Sequence, residues 1–188
     1  MLAVNWQTRM AEKTEKLPFQ LPAVRSLGEH PCRQPVIVID SREQTPLLFT
    51  RLPFVTETLQ TGDYSVRGLE ELFAVERKTI GDLVGCCMGD GRRRFEAELH
   101  RLRGYCFKRL LIVGPESDIL TGKYHSNIRA ASVLASLTAF EVRYDCPVVF
   151  CATASRAAIQ IERWAFYYAR EAVETVNDLC RAIDTTKC

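Results

Sequence analysis

The chain has 188 residues and a mass of 21.4 kDa, is 47% hydrophobic and 26% charged, and carries 25 Lys+Arg against 23 Asp+Glu, a net charge of +2. That length fits one domain with a short appendage, and the composition excludes a disordered chain. The near-balance of charge excludes a protein that coats nucleic acid by bulk charge alone, but not a local basic face.

Residues 1–34 hold Pro18, Pro22 and Pro31 without sustained periodicity and read as an N-terminal arm that packs on the body or holds a partner. Met1 to Lys16 contains no apolar core of a signal peptide. No segment has the apolar length of a membrane span, so no membrane partner and an intracellular, cytoplasmic location are expected. The body, residues 35–153, opens on Val36-Ile37-Val38-Ile39, a continuous apolar run ending in Asp40 that reads as a strand buried on both faces. Gln60 to Asp63 forms a turn into a short strand, Tyr64 to Val66. Leu72 to Lys78 is a strand that begins apolar and ends charged.

Thr79 to Met88 reads as a short helix capped by Thr79, with Asp82 three residues on. Asp90 is the expected cap of a second helix that runs to Gly104 and buries Phe95, Leu99 and Leu102. Arg109 to Val113 is a further strand. Ser126 or Asn127 should open a helix with Val133, Leu137, Phe140 and Tyr144 on one face, and Pro147 to Cys151 is a last strand. From Ser155 a long pattern places Ile161, Trp164, Tyr168, Ala172, Leu179 and Ile183 on one stripe. Unbroken, this C-terminal helical extension, residues 154–188, is a rod of about 40 Å that packs on the domain or reaches a partner.

Gly89-Asp90-Gly91 is not followed by the Lys-Ser/Thr of a phosphate-binding loop, which excludes that nucleotide site. The eight cysteines (32, 86, 87, 106, 146, 151, 180, 188) show no C-x-x-C spacing. None is spaced with His30, His100 or His125 as in a zinc site. They read as reduced thiols packed as small hydrophobes.

The chemistry concentrates between Asp40 and Arg94. Side chains alternate across a strand, so Glu76 and Lys78 share one face and Arg77 takes the other. Asp63 stands on what should be a neighbouring strand. Two carboxylates and a lysine are the set that metal-assisted phosphodiester hydrolysis needs. The carboxylates suit Mg²⁺, a hard cation that prefers oxygen; the cation activates water; the ammonium orients that water or offsets charge on the phosphate.

In order, Gly62-Asp63, Glu76-Arg77-Lys78 and Asp82 resemble the G-D-x(n)-E-R-K-x-x-x-D motif of the XPF-type structure-specific nucleases. Asp40-Ser41-Arg42-Glu43 looks like the family's D-x-R-E element, Gly91-Arg92 like its G-R pair, and Arg94 to Leu99 is similar to small bacterial and phage members. The resemblance covers about residues 35–151. It implies a restriction-endonuclease-like α/β fold, a PD-(D/E)xK variant with a mixed central sheet flanked by helices. It implies Asp63, Glu76 and the backbone carbonyl of Arg77 as ligands of Mg²⁺ or Mn²⁺. It implies Lys78 as the catalytic lysine, Asp40 and Asp82 as supports, and DNA with single/double-strand junctions as substrate. Two features of larger members, a helicase domain and tandem helix-hairpin-helix motifs, are not found, which leads to the expectation of a stand-alone bacterial or phage domain.

Asp82 also has a purely structural reading as a helix-start partner. Arg42 and Glu43 read as an ion pair shaping the site. From Arg92 to Arg109 seven basic and two acidic residues give a local +5, leaving −3 for the rest. Arg92, Arg93 and Arg94, with Arg42, are the candidate DNA contacts, while Tyr124 and His125 read as turn residues. Trp164, Tyr167 and Tyr168 read as core or interface. The reading from another class is a non-catalytic DNA-binding or scaffolding module on the same fold, and a third is an interaction protein working through its last helix. The apolar stripe of that helix also fits a homodimer.

Overall fold

The computed structural model describes residues 19–24 and 34–184. Most of the arm expected at 1–34, with His30 and Cys32, lies outside the described residues, as does Cys188. The six other cysteines are free thiols.

Six strands form one sheet: β1 (Ile37–Asp40), β2 (Phe54–Glu57), β3 (Tyr64–Val66), β4 (Phe73–Thr79), β5 (Phe107–Val113) and β6 (Val148–Cys151). Their order is β2-β1-β3-β4-β5-β6. β3 runs antiparallel to β1 and β4, and the pairs β1–β2, β4–β5 and β5–β6 are parallel. Among the described residues the helices are five: α1 (Ile80–Gly85), α2 (Gly89–Leu102), α3 (Glu116–Leu120), α4 (Ala130–Tyr144) and α5 (Ala154–Asp184).

The sheet is covered on both faces, as expected. Strand alternation divides the apolar residues between two cores. Phe73, Val75 and Leu111 face α5 with Leu47, Phe49 and Ile161, while Ala74, Leu110 and Ile112 face α1 to α4 with Phe95, Leu99 and Phe140. Fully buried β1 matches its unbroken apolar run.

Several element boundaries differ from the sequence reading. Asp90 lies inside the first turn of α2, paired with Arg93, and the capping position is Met88, which makes no side-chain cap bond. Neither Ser126 nor Asn127 opens α4: the Ser126 hydroxyl is engaged by the Ile128 N–H in the preceding turn, and the helix begins after Arg129. β2 and α3 have no counterpart in the sequence reading. β2 is an exposed four-residue edge without alternation and α3 is five residues long, so neither carries a period.

Helix α5 is unbroken over 31 residues. Its first half is part of the core, but Leu179 and Ile183 are exposed. The expected aromatic cluster divides: Trp164 and Tyr168 pack on Phe107, whereas Tyr167 is exposed. Residues 19–24 lie against this helix, with Phe19 edge-on to Phe166 at 5.8 Å and Ala23 O accepting from the Asn177 side chain at 3.1 Å.

Candidate active site

The site forms where β1 and β4 end and β3 begins, beside α1 and α2. Strand β4 begins inside the sheet and emerges into a cleft, so its last residues are the charged Glu76-Arg77-Lys78. Gly62 turns the chain into β3 at φ +81°, a left-handed conformation natural to glycine, and a Cβ there would meet Val75 O at 3.2 Å. The turn sets Asp63 against β4: its N–H donates to Val75 O at 2.9 Å and its carboxylate accepts the Arg77 N–H at 2.7 Å.

Asp63, Glu76 and Lys78 line one cavity of about 250 Å³ together with Asp40, Arg42 and Gln60. The Lys78 ammonium donates to Glu76 at 2.6 Å. As alternation requires, Arg77 turns to the other face, where its guanidinium meets Glu43 at 2.8 Å. The supposed Arg42–Glu43 ion pair is therefore not formed. Arg42 folds back on Asp40, two residues earlier, and Glu43 instead takes the Arg77 guanidinium that β4 presents.

The carboxylates have opposite electrostatic characters. Asp40 is buried, yet four donors surround it: the Arg42 Nε, Nη2 and N–H, and the Leu59 N–H. Arg42 outweighs burial and holds its pKa down at about 2. Both Asp40 oxygens are thus occupied, and the group anchors the loop that carries Arg42. Asp63 is pushed up to about 6, chiefly by burial, against the Arg77 N–H and Lys78 that lower it. Glu76 is pushed up to about 7 by burial and by the Asp63 charge. Burial works against the Lys78 ammonium, but Glu76, Glu98 and Asp63 outweigh it and hold it above its usual range.

Asp63 and Glu76 are desolvated and repel one another, and both stay raised despite the Lys78 ammonium; a divalent cation supplies the further positive charge. Among the described residues no three His, Cys, Asp or Glu side chains form a ready-made cage. Mg²⁺ is held by one or two carboxylates plus water and substrate phosphate, and Asp63 and Glu76 offer two carboxylates in one cavity. The donor set fits such an ion.

A larger cleft of about 700 Å³ continues past Lys78 between the Arg42–Thr45 loop, α1 and α2. Asp82 lines it, and its carboxylate also accepts from the Thr79 hydroxyl at 2.7 Å while Thr79 caps the helix, so the expected capping box is present. Cys86 lines it too; burial raises that thiol to about 11, which leaves it protonated at neutral pH and excludes a thiolate nucleophile.

The arginine run separates by helical position. Arg92 is half-buried, bonded to Glu96 and Ser136 at 2.9 Å with its guanidinium over Phe140. Arg93 is exposed beside Asp90. Of the three, Arg94 alone lines the cleft. Tyr124 lies in a turn, its hydroxyl donating to Ile128 O, and His125 is exposed beside it.

Glu98 is the residue that sequence reasoning did not single out. It lines both cavities and lies 3.5 Å from the Lys78 ammonium, opposite Glu76. Its signal in the sequence is its position on the α2 face, one turn beyond Arg94. α2 comes this close because Gly91 touches α1: a Cβ there would lie 2.3 Å from Gly85 O.

The ERCC4 domain profile matches residues 39–163. A comparison with curated proteins gives no significant match. Among solved structures, the chain is similar to XPF from Aeropyrum pernix with a TM-score of 0.59 and 23% identity, over 73% of this chain and 63% of that one. It is also similar to XPF from Aeropyrum pernix in complex with DNA, with a TM-score of 0.57 and 18% identity, over 74% and 66% respectively. The chain thus spans just under two-thirds of the XPF chains it resembles, and the sheet with helices on both faces is the restriction-endonuclease-like fold of these nucleases. With the matched stretch running from the end of β1 through the Asp63–Glu76–Lys78 site and into α5, this chain belongs to the ERCC4 domain family.

Proposed function

We propose that this protein is a Mg²⁺- or Mn²⁺-dependent DNA endonuclease that hydrolyses phosphodiester bonds at branched or flap-like single/double-strand junctions. The observation that carries the reading is the convergence of Asp63, Glu76 and Lys78 in one cavity, with the ammonium 2.6 Å from Glu76. Family membership and the likeness to an XPF chain solved with DNA support DNA as the substrate.

Asp63 and Glu76 would hold the metal, with the backbone carbonyl of Arg77 as a third oxygen. The bound ion supplies an activated water and neutralises phosphate charge. Lys78, freed from part of its contact with Glu76, retains Glu98 as counter-charge and directs its ammonium at the attacking water or the phosphate. Asp40 positions Arg42, whose side chain is 67% exposed, at the mouth of both cavities. Arg42 is thereby placed to take a phosphate, as is Arg94. Glu43 fixes Arg77, and Asp82 holds the start of α1 against the cleft wall.

The test is a Mg²⁺ and Mn²⁺ titration with flap, fork, nicked and linear DNAs of one sequence. Cutting that requires metal and favours the branched substrates is expected. Absence of product on every DNA with either ion leaves the non-catalytic DNA-binding or scaffolding module as the reading.

The raised carboxylates give a second expectation. A carboxyl group whose folded-state value lies above its unfolded value stabilises the folded chain at low pH, and that stability is lost as pH rises through the folded value. Without metal, the contribution of Glu76 is present below about 4.5 and lost by about 7, and that of Asp63 is lost by about 6. Glu76→Gln should therefore melt several degrees above the wild type at pH 8 in EDTA, the gain shrinking toward pH 5, while its cutting is abolished. Calorimetry at the two pH values checks this; a Glu76→Gln protein less stable than the wild type at pH 8 contradicts a net cost of the ionised Glu76 carboxylate.

A further inference from the structure

The two cavities share Arg42, Asp63, Lys78 and Glu98, and each has one arginine of α2 that the other lacks: Arg94 in the larger, Arg101 in the smaller. Seven residues separate them, so they stand on one face of the helix, about 10.5 Å apart along its axis, with Glu98 between. Both are exposed, and neither guanidinium makes an ion pair or hydrogen bond among the described residues. The neighbouring Arg92 and Arg93 are engaged with Glu96 and Asp90. Glu98 lies within one turn of each, yet it takes Lys78 as its partner. The α2 wall thus presents two unpaired guanidinium groups, one on each side of the Glu76–Lys78 contact, at the edge of a carboxylate-lined cleft.

We infer that Arg94 and Arg101 form a phosphate clamp: they bind backbone phosphates on opposite sides of the scissile one, so the cut strand runs along α2 from one cavity to the other. The inference rests on the endonuclease reading of the site and extends it to the path of the strand. A guanidinium is suited to this role because its planar fork offers two parallel donors to phosphate oxygens.

The contacts are read first without catalysis. Binding of a labelled flap DNA in EDTA is followed by anisotropy over a range of salt for the wild type, Arg94→Gln, Arg101→Gln and Arg103→Gln. Arg103 is an exposed basic residue at the end of the same helix that lines neither cavity. Arg94→Gln and Arg101→Gln should each weaken binding roughly three- to tenfold and lower the salt slope by about 1, with Arg103→Gln unchanged. Equal losses in all three variants, or none in the first two, overturn the clamp. Cutting in Mg²⁺ of DNAs with a single neutral methylphosphonate then gives the register. Each arginine should lose its effect at one position only, the two positions lying on opposite sides of the cut; coupling of both to the same side also overturns the clamp. A wild type that cuts nothing, yet binds with the Arg94 and Arg101 dependence described, removes the endonuclease reading and keeps the track. Cutting and binding that survive both substitutions remove the clamp and keep the endonuclease.

Discussion

Lys78→Met protein is expected to fold and bind DNA, and to cut it roughly 10²–10³-fold more slowly than the wild type, the usual cost of deleting one charge-stabilising donor from a site. The substitution keeps an unbranched apolar stem and deletes the ammonium, which lies over the Phe95 ring at 5.3 Å. It also leaves Glu76 without its 2.6 Å partner. Stranding a buried charge is costly, but Glu76 already sits near 7, and with the ammonium gone it takes up a proton in the metal-free state. Asp63→Asn should lose cutting to a similar degree for a different reason. Its amide still accepts the Arg77 N–H through an oxygen, so the turn survives while the metal loses an anionic ligand. Calorimetric titration with Mn²⁺ separates the two. Lys78→Met should bind the ion at least as tightly as the wild type, because a competing positive charge has gone, whereas Asp63→Asn should bind it more weakly. Undiminished cutting by either variant sinks the assignment, and equal metal affinity in both refutes the division of roles between carboxylate and ammonium.

The half of the site that is local in sequence was legible there. β1 and β4 announce themselves by apolar runs that end in charge and β3 by the turns on either side of it, and alternation alone puts Glu76 and Lys78 together and Arg77 apart. Thr79 and Asp82 show a capping pattern that the chain adopts. The other wall was not legible, because it depends on how α2 is set against β4. Glu98 and Arg101 read as members of a charged helix until the Gly91–Gly85 contact decides which face looks into the cleft. The same limit separates Arg92, Arg93 and Arg94: one run in sequence, three environments on a helix. Asp40 and Arg42 were singled out, but the four donors around Asp40 come partly from Leu59, and that convergence has no local pattern.

Glu162→Ala should be strongly destabilising, by about 3 kcal/mol or more, lowering the melting temperature by roughly 6–12 °C. Glu162 is a buried residue of α5, one residue before the end of the ERCC4 match, and its Oε1 accepts three consecutive backbone N–H groups, from Thr50 at 2.9 Å, Arg51 at 2.6 Å and Leu52 at 3.2 Å. These residues close the loop that begins with Arg42 and Glu43 and leads into β2. One carboxylate thus ties the arm of the site that carries Arg42 to the helix on the far side of the sheet. Alanine removes the acceptor and leaves three donors, partly buried, without a partner, and each such loss costs about 1–3 kcal/mol before relaxation. Glutamine is the informative comparison, because its carbonyl oxygen can accept the same N–H groups while the charge is gone, and its amide occupies the place of Oε2, which has no hydrogen-bond partner among the described residues. Glu162→Gln should therefore cost about 1 kcal/mol, clearly less than alanine. Thermal melts of the two variants check the ranking. An alanine protein that melts with the wild type shows that the loop is held by Leu47, Phe49 and Leu52 in the core and not by the carboxylate. Equal losses for alanine and glutamine show that the charge, and not the acceptor geometry, holds the loop in place.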